Sequence, residues 1–387
     1  MNMGNHEKDE RLVQVQVAQT QSRMILPSRS EYVISVCGRK GMSMDQYVRD
    51  KMLGEEACQV GRFVFAGSRH YESYGETSLH AEGSLMLHKG DAGKSDDEVS
   101  MQVMAVSGTP IIPIRQKGRN IGVIFEDENA RYCRLSGLMP LDISASRETQ
   151  ARAVLEMADF ILSTNGFQFT DTVRTWFYLD RLLEWYAGFN EVRTAFFKAR
   201  AVFEKMVPAS TGIGASNPWG AALIGDLLAI QPKSPSVHVR AVPSPLQDSA
   251  LNYASSFSRA VEIKCPTYSS LLISGTASID RVGNTVFKDD HAGQIEQTLQ
   301  VVEALLRSRS MTWGDVVRGI AYFTDMTDHP IFDAACRRHG LPAFPLARAR
   351  ADICRHDLIF ELEVDAISTP GCHHAALDLP APAQCHS

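Results

Sequence analysis

One stretch of this chain is written twice, and that repetition constrains the fold more than any single motif does. Residues 150–178 lie over residues 294–322 without a gap. Identities fall at Gln150/Gln294, Leu155/Leu299, Leu162/Leu306, Asp171/Asp315, Val173/Val317, Arg174/Arg318 and Tyr178/Tyr322. In each copy the first half places apolar residues at i, i+3, i+4 and i+7, the period of an amphipathic helix. The second half, DTVRTWFYL against DVVRGIAYF, is β-branched and aromatic, as a strand is. A shared phrase precedes each helix, Arg134-Leu-Ser-Gly-Leu and Leu272-Ile-Ser-Gly-Thr. Second helices are expected over Leu182–Ala199 and 329–339, and final apolar strands over 221–230 and 349–367. Strand, helix, strand, helix, strand, repeated, predicts an α/β (α+β) fold of two units in tandem behind an N-terminal extension.

The boundaries follow from what interrupts this pattern. Residues 1–25 are polar and read as a disordered leader. Residues 26–235 are expected to form the first unit, with short alternating runs in 31–130 supplying extra strands to its sheet. The segment 90–100 is small and charged, a surface loop, and four prolines in 231–247 mark a crossing between units. Residues 248–368 form the second unit, and 369–387 a flexible tail. A net charge of -6 argues against a nucleic-acid partner. No apolar run reaches the roughly 18–20 residues of a membrane helix, and the polar start lacks a secretory core. With eight cysteines and no C-x-x-C pair, the chain reads as a cytoplasmic protein with reduced thiols.

Three local features could carry chemistry. Cys372-His-His with Cys385-His386 could be imagined as a metal site, but the spacing fits no structural zinc pattern, so no metal is expected. Residues 208–215, PASTGIGA, read as a turn. Its backbone N–H groups with Ser210, Thr211 and Gly212 could hold an anion, or the glycines could simply serve a tight bend, and the sequence favours neither. Glu361, Glu363 and Asp365 alternate along a strand and so share one face. If that strand pairs with Arg348 and Arg350, guanidinium and carboxylate meet; a solvated outer face is the plainer account on spacing alone.

Taken together these phrases resemble a known family. The run from Leu346-Ala-Arg348 to Leu362-Glu363-Val-Asp-Ala-Ile resembles the P-A-R … E-I-x-A-I signature of the YjgF-like (reactive-intermediate deaminase, chorismate-mutase-like) fold. That fold commonly forms trimers with ligand clefts between subunits, so a homotrimer is expected. The longer pattern is similar to the chorismatases, in which two YjgF-like halves form one chain. It comprises Arg174-Thr-Trp-Phe-Tyr178, Tyr186, Phe189-Asn190, Arg193, Pro208-Ala-Ser-Thr-Gly-Ile-Gly214, Ser274-Gly-Thr276 and Cys354-Arg-x-Asp-Leu-x-Phe-Glu361. The resemblance covers roughly residues 130–368.

The resemblance implies release of pyruvate from chorismate, a small dicarboxylate, without metal or organic cofactor. A carboxylic acid must protonate the enolpyruvyl methylene carbon. Glu361 occupies the position of the family's catalytic glutamate, while Glu363 matches the shorter YjgF signature, so both stand as candidates beside Cys354. Arg174, Tyr178, Tyr186, Arg193, Ser210, Thr211, Gly212, Ala277 and Arg348 are the implied substrate contacts. Cysteine at 354 implies the type forming 3-hydroxybenzoate, with some 4-hydroxybenzoate; Ala277, larger than the expected glycine, keeps hydrolysis to a dihydroxycyclohexadienoate open. An imine or enamine deaminase and a non-catalytic ligand-binding protein are the alternatives. The first copy's 208–215 segment and the second copy's glutamate strand are expected to line one cleft, within a chain or across a subunit interface.

Overall fold

The computed structural model describes residues 18–26, 28–39, 48, 52, 56–67, 84–87, 98–253 and 255–369. The 372–386 cysteine and histidine cluster therefore lies outside the described residues, as do residues 1–17 of the expected leader. The described residues form three sheets. The C-terminal sheet has the order β16-β15-β17-β14-β13-β12, from His238–Val242 (β12), Ala260–Lys264 (β13), Ser269–Ala277 (β14), Val316–Phe323 (β15), Leu346–Arg350 (β16) and Phe360–Ser368 (β17). The middle sheet repeats it as β10-β9-β11-β8-β7-β6, from Ile112–Gln116 (β6), Arg119–Glu126 (β7), Ala130–Leu138 (β8), Thr172–Leu179 (β9), Ala209–Gly214 (β10) and Leu223–Pro232 (β11). In both, the first two strands are parallel and the rest antiparallel.

Helices Arg147–Thr164 (α1) and Leu182–Ala199 (α2), then the short Val202–Lys205 (α3), serve the middle sheet; His291–Arg307 (α4) and His329–Arg338 (α5) serve the C-terminal one. The identities between copies are explained by the jobs those residues do. Gln150 and Gln294 are buried at the start of α1 and α4, where each accepts a backbone N–H from the chain entering or preceding the last strand, Ala222 and Ile359. Asp171 and Asp315 accept from the N–H groups of Gln168 and Thr312, closing a capping box before β9 and β15. The shared Ser-Gly phrases end β8 and β14, where register shifts interrupt the ladder with the partner strand.

Several expectations change. Residues 18–25 are not a leader but strand β1 (Ala18–Ile25), paired with β2 (Ser30–Arg39). With β3 (Cys58–Ala66), β4 (Ser84–Leu87) and β5 (Glu98–Ser107) they form a third sheet, in the order β1-β2-β5-β3-β4. Read from β4, this is the same strand order and the same parallel edge pair, one strand short. Only β6–β8 extend the first copy's sheet. The expected loop at 90–100 ends in β5, and the proline-rich crossing holds β12. The expected last strand 349–367 is two strands, β16 and β17, with β15 between them. Arg348 and Arg350 therefore do not pair with the glutamate strand.

The three sheets meet in one apolar cluster containing Phe63, Phe65, Val173, Trp176, Tyr178, Ile320 and Tyr322. At its centre lies Glu363, completely buried. It accepts from Arg174 at 2.9 Å and Trp176 at 2.9 Å on β9, and from Arg318 on β15 at 2.5 Å. Gln102 on β5 accepts from the same Arg318 (2.7 Å) and donates to the Gly319 carbonyl (3.0 Å), tying the N-terminal sheet in. On β3 the corresponding inward position is Gly61, and Arg134 of β8 fills the space a side chain would take. Among the described residues no helix is long and apolar enough to cross a membrane. Glu363→Gln would leave buried Arg174 without its carboxylate and Arg318 with Asp365 alone, a loss of about 3–5 kcal/mol. Urea unfolding should show it as a lower midpoint, and a change under about 1 kcal/mol would show that the network does not hold the sheets together.

Candidate active site

A cavity of about 960 Å³ opens at the seam between the middle and C-terminal sheets. Ser210 and Gly212 of β10 and Tyr186, Asn190 and Arg193 of α2 line one wall; Gly275, Ala277, Cys354 and Glu361 line the other. The first copy's 208–215 segment and the second copy's glutamate strand thus share one cleft, within a single chain. That segment is the buried strand β10 rather than a turn, and neither Gly212 nor Gly214 takes a positive φ. An added Cβ at Gly212 would meet the Tyr186 ring at 3.6 Å, an ordinary contact, so packing does not demand a glycine there.

The two glutamates share a face of β17, as the spacing required, but the face points inward. Glu361 reaches the cavity and Glu363 sits behind it. Burial pushes the Glu361 carboxyl up to about 8, the charge of Glu363 adding to the shift and Arg174 opposing it. It therefore carries its proton at neutral pH. Glu363 feels the same burial, but Arg174 and Arg318 outweigh it and hold the group below its ordinary value. One carboxyl is kept as acid, in part because its neighbour is kept as anion.

The wall around Glu361 depends on two small residues at the β14 irregularity. The Ser210 N–H donates to Ser274 Oγ at 2.9 Å, and the Gly275 N–H to Thr211 Oγ1 at 3.1 Å. Thr211 in turn donates to Glu363. Glu361 fills the space above Gly275 so completely that a Cβ there would stand 1.9 Å from Oε1. Cys354 is half-buried beside this group, and burial with the adjoining Glu361 charge pushes its thiol up to about 12. It faces the cavity as a neutral S–H, not a thiolate.

Cations line the same space. Arg193 is fully buried; it donates to Asn190 Oδ1 at 2.6 Å and Ser210 Oγ at 3.4 Å, its Nε has no partner, and burial lowers its pKa. Arg259 and Arg355 line it too. None of the three forms an ion pair among the described residues; their hydrogen bonds go to neutral groups. Unpaired guanidinium held in a cavity is a receptor for an anion.

The structure gathers Tyr186, Arg193, Ser210, Gly212, Ala277, Cys354 and Glu361 around the cavity and places the remaining sequence candidates elsewhere. Arg174, Thr211 and Glu363 form the buried layer behind it. Tyr178 is buried among Phe63 and Phe65. Arg348 lies on β16, on the far side of β15, paired with Asp333 of α5. Sequence reasoning missed Arg259 and Tyr253, which lie between β12 and β13 and belong to no motif. Arg355 stood inside the Cys-Arg-x-Asp phrase but was given no role. Among the described residues no group of three His, Cys, Asp or Glu side chains is placed to hold a metal.

With this geometry established, known proteins can be set beside it. Residues 247–369 match the endoribonuclease L-PSP family. A chorismatase crystal structure superposes with a TM-score of 0.63 at 18% identity, over 86% of this chain and 98% of that one. The chain has the chorismatase fold. Smaller single-unit proteins align with part of it. The YjgF gene product of E. coli is 19% identical over 33% of this chain and 98% of its own, with a TM-score of 0.27. A YjgF-family member from Mycobacterium tuberculosis is 23% identical over 34% and 100%, with a TM-score of 0.26. No curated protein matches the sequence.

Two measurements check the site without reference to any reaction. Infrared difference spectra should show a protonated carboxyl that loses its proton as pH rises through about 8 and is missing in Glu361→Gln. Its persistence in that variant would assign the proton elsewhere. Gly275→Ala should displace the Glu361 side chain and abolish the same band's shift while the protein stays folded by circular dichroism.

Proposed function

We propose that this protein is a chorismatase, releasing pyruvate from chorismate with Glu361 as the acid. The observation that carries the reading is a neutral buried carboxyl facing a cavity whose arginines lack carboxylate partners. A dianion with an acid-labile group is the ligand such a cavity suits, and chorismate presents two carboxylates and an enolpyruvyl ether. Arg193 with Ser210 would hold one carboxylate, and Arg259 with Arg355 the other.

Glu361 delivers its proton to the methylene carbon, and the ether oxygen shares the resulting positive charge. The carboxylate left behind stands beside that cation and stabilises it. The C–O bond to the ring then breaks. Loss of the proton on the carbon bearing the free hydroxyl gives 4-hydroxybenzoate. For 3-hydroxybenzoate that hydroxyl oxygen first bonds to the neighbouring cationic carbon as its own proton leaves. Its old C–O bond then breaks as the oxygen is reprotonated, and the ring proton at the newly oxygenated carbon is lost. Either product together with pyruvate contains every atom of chorismate. Capture by water instead gives the dihydroxycyclohexadienoate. Neutral Cys354, beside Glu361, is positioned to handle the ring proton, favouring 3-hydroxybenzoate over the diol. A deaminase reading draws no support from Arg348, which pairs with Asp333 away from the cavity. A homotrimer is not needed to build this cleft, because one chain supplies both walls.

Incubation with chorismate should yield pyruvate and an aromatic product in equal amounts; no pyruvate above background would remove this reading. Glu361→Gln should lower kcat by about 10²–10⁴-fold while chorismate still binds. Since the protonated form is the active one, kcat/KM should fall as pH rises through about 8. Cys354→Val should shift product from hydroxybenzoate to diol, and an unchanged ratio would take the thiol out of the mechanism.

A further inference from the structure

The segment joining β12 to β13 of the C-terminal sheet does more than connect them. It carries a 3₁₀ turn, Ala250–Tyr253, whose last residue lines the cavity. Two guanidiniums approach the Tyr253 ring, with Arg259 Cζ 5.5 Å and Arg355 Cζ 5.9 Å from its centroid. Arg259 is also 5.5 Å from the Phe257 ring. Arg259 donates to Asp248 O at 3.1 and 2.9 Å and also meets the Tyr253 hydroxyl, and Arg355 donates to Gly283 O at 2.5 Å. Gly283 in turn braces the ring. Its φ is +93°, and an added Cβ would lie 2.8 Å from Tyr253 Cδ1.

Two like charges converge on this ring, and neither forms an ion pair among the described residues. Repulsion would spread them unless something fixed the spacing. One aromatic ring does so, because its quadrupole attracts both cations. The carbonyl tethers occupy part of each guanidinium fork and leave the remaining N–H groups for a ligand.

We propose that Tyr253 is a positioning residue that holds Arg259 and Arg355 as a paired receptor for the second carboxylate of a dianionic substrate. The identity of that substrate rests on the chorismate reading; the receptor does not. Tyr253 itself makes no proton transfer and need not touch the reacting atoms. Its ring is the part that acts on both cations; its hydroxyl reaches Arg259 alone.

The test compares Tyr253→Phe with Tyr253→Leu. The leucine variant should raise KM for chorismate roughly tenfold or more with kcat within about twofold, the mark of lost uniform binding, while phenylalanine stays within about threefold of wild type. In a Glu361→Gln background, calorimetry should show chorismate binding weakened by the same factor for leucine and retained for phenylalanine. Leucine binding chorismate as wild type does would overturn the proposal. So would a fall in kcat at unchanged KM, or phenylalanine as impaired as leucine. If the wild-type protein binds chorismate but releases no pyruvate, the reaction reading fails while the binding series still decides the receptor.

Discussion

Glu363 is the charge around which this molecule is organised. A carboxylate with no exposure to water is tolerable only where its environment replaces hydration, and here two arginines, an indole N–H and a threonine hydroxyl do so. The donors come from two different sheets, and one of the arginines is also held by Gln102 of the third. Removing the anion would therefore loosen all three sheets at one point. Its second effect is electrostatic. A fixed negative charge next to Glu361 on the same strand helps burial keep that carboxyl protonated, so stability and acid strength share a cause.

The sequence made the doubling legible because the matched residues do matched work. Gln150 and Gln294, and Asp171 and Asp315, close turns that any copy of the unit must close. Arg174 and Arg318 converge on one carboxylate. The face shared by Glu361, Glu363 and Asp365 was also legible, since a strand's period is fixed. Its direction was not: spacing cannot say whether a charged face meets water or a buried cation, and the cations arrive from residues distant in sequence. Proximity in sequence misled at Arg348, because the intervening β15 is placed by long-range pairing.

The N-terminal sheet escaped sequence reading for a different reason. It repeats strand order, not residues. Where the other copies have Arg174 and Arg318 it has Gly61, and the missing side chain is supplied from β8 by Arg134. An equivalence that survives only in topology leaves no string to align. Arg259 and Tyr253 were hidden likewise, in a stretch of the second unit, DSALNYASSFSR, that has neither helical nor strand periodicity.

Three sheets with one strand order create three comparable seams, yet the residues at the Glu361 place are not alike. By register, Glu361 corresponds to Ile224 on β11 and Ser100 on β5, and Gly212 corresponds to Arg348. In a symmetric trimer a substitution is imposed on every interface at once, so none can be altered for a separate purpose. Here each seam mutates alone. Arg348 can close one with a salt bridge, Ile224 can make another plain core, and the remaining one is free to carry an acid that would be intolerable if tripled. The three seams, alike in layout, are independently heritable.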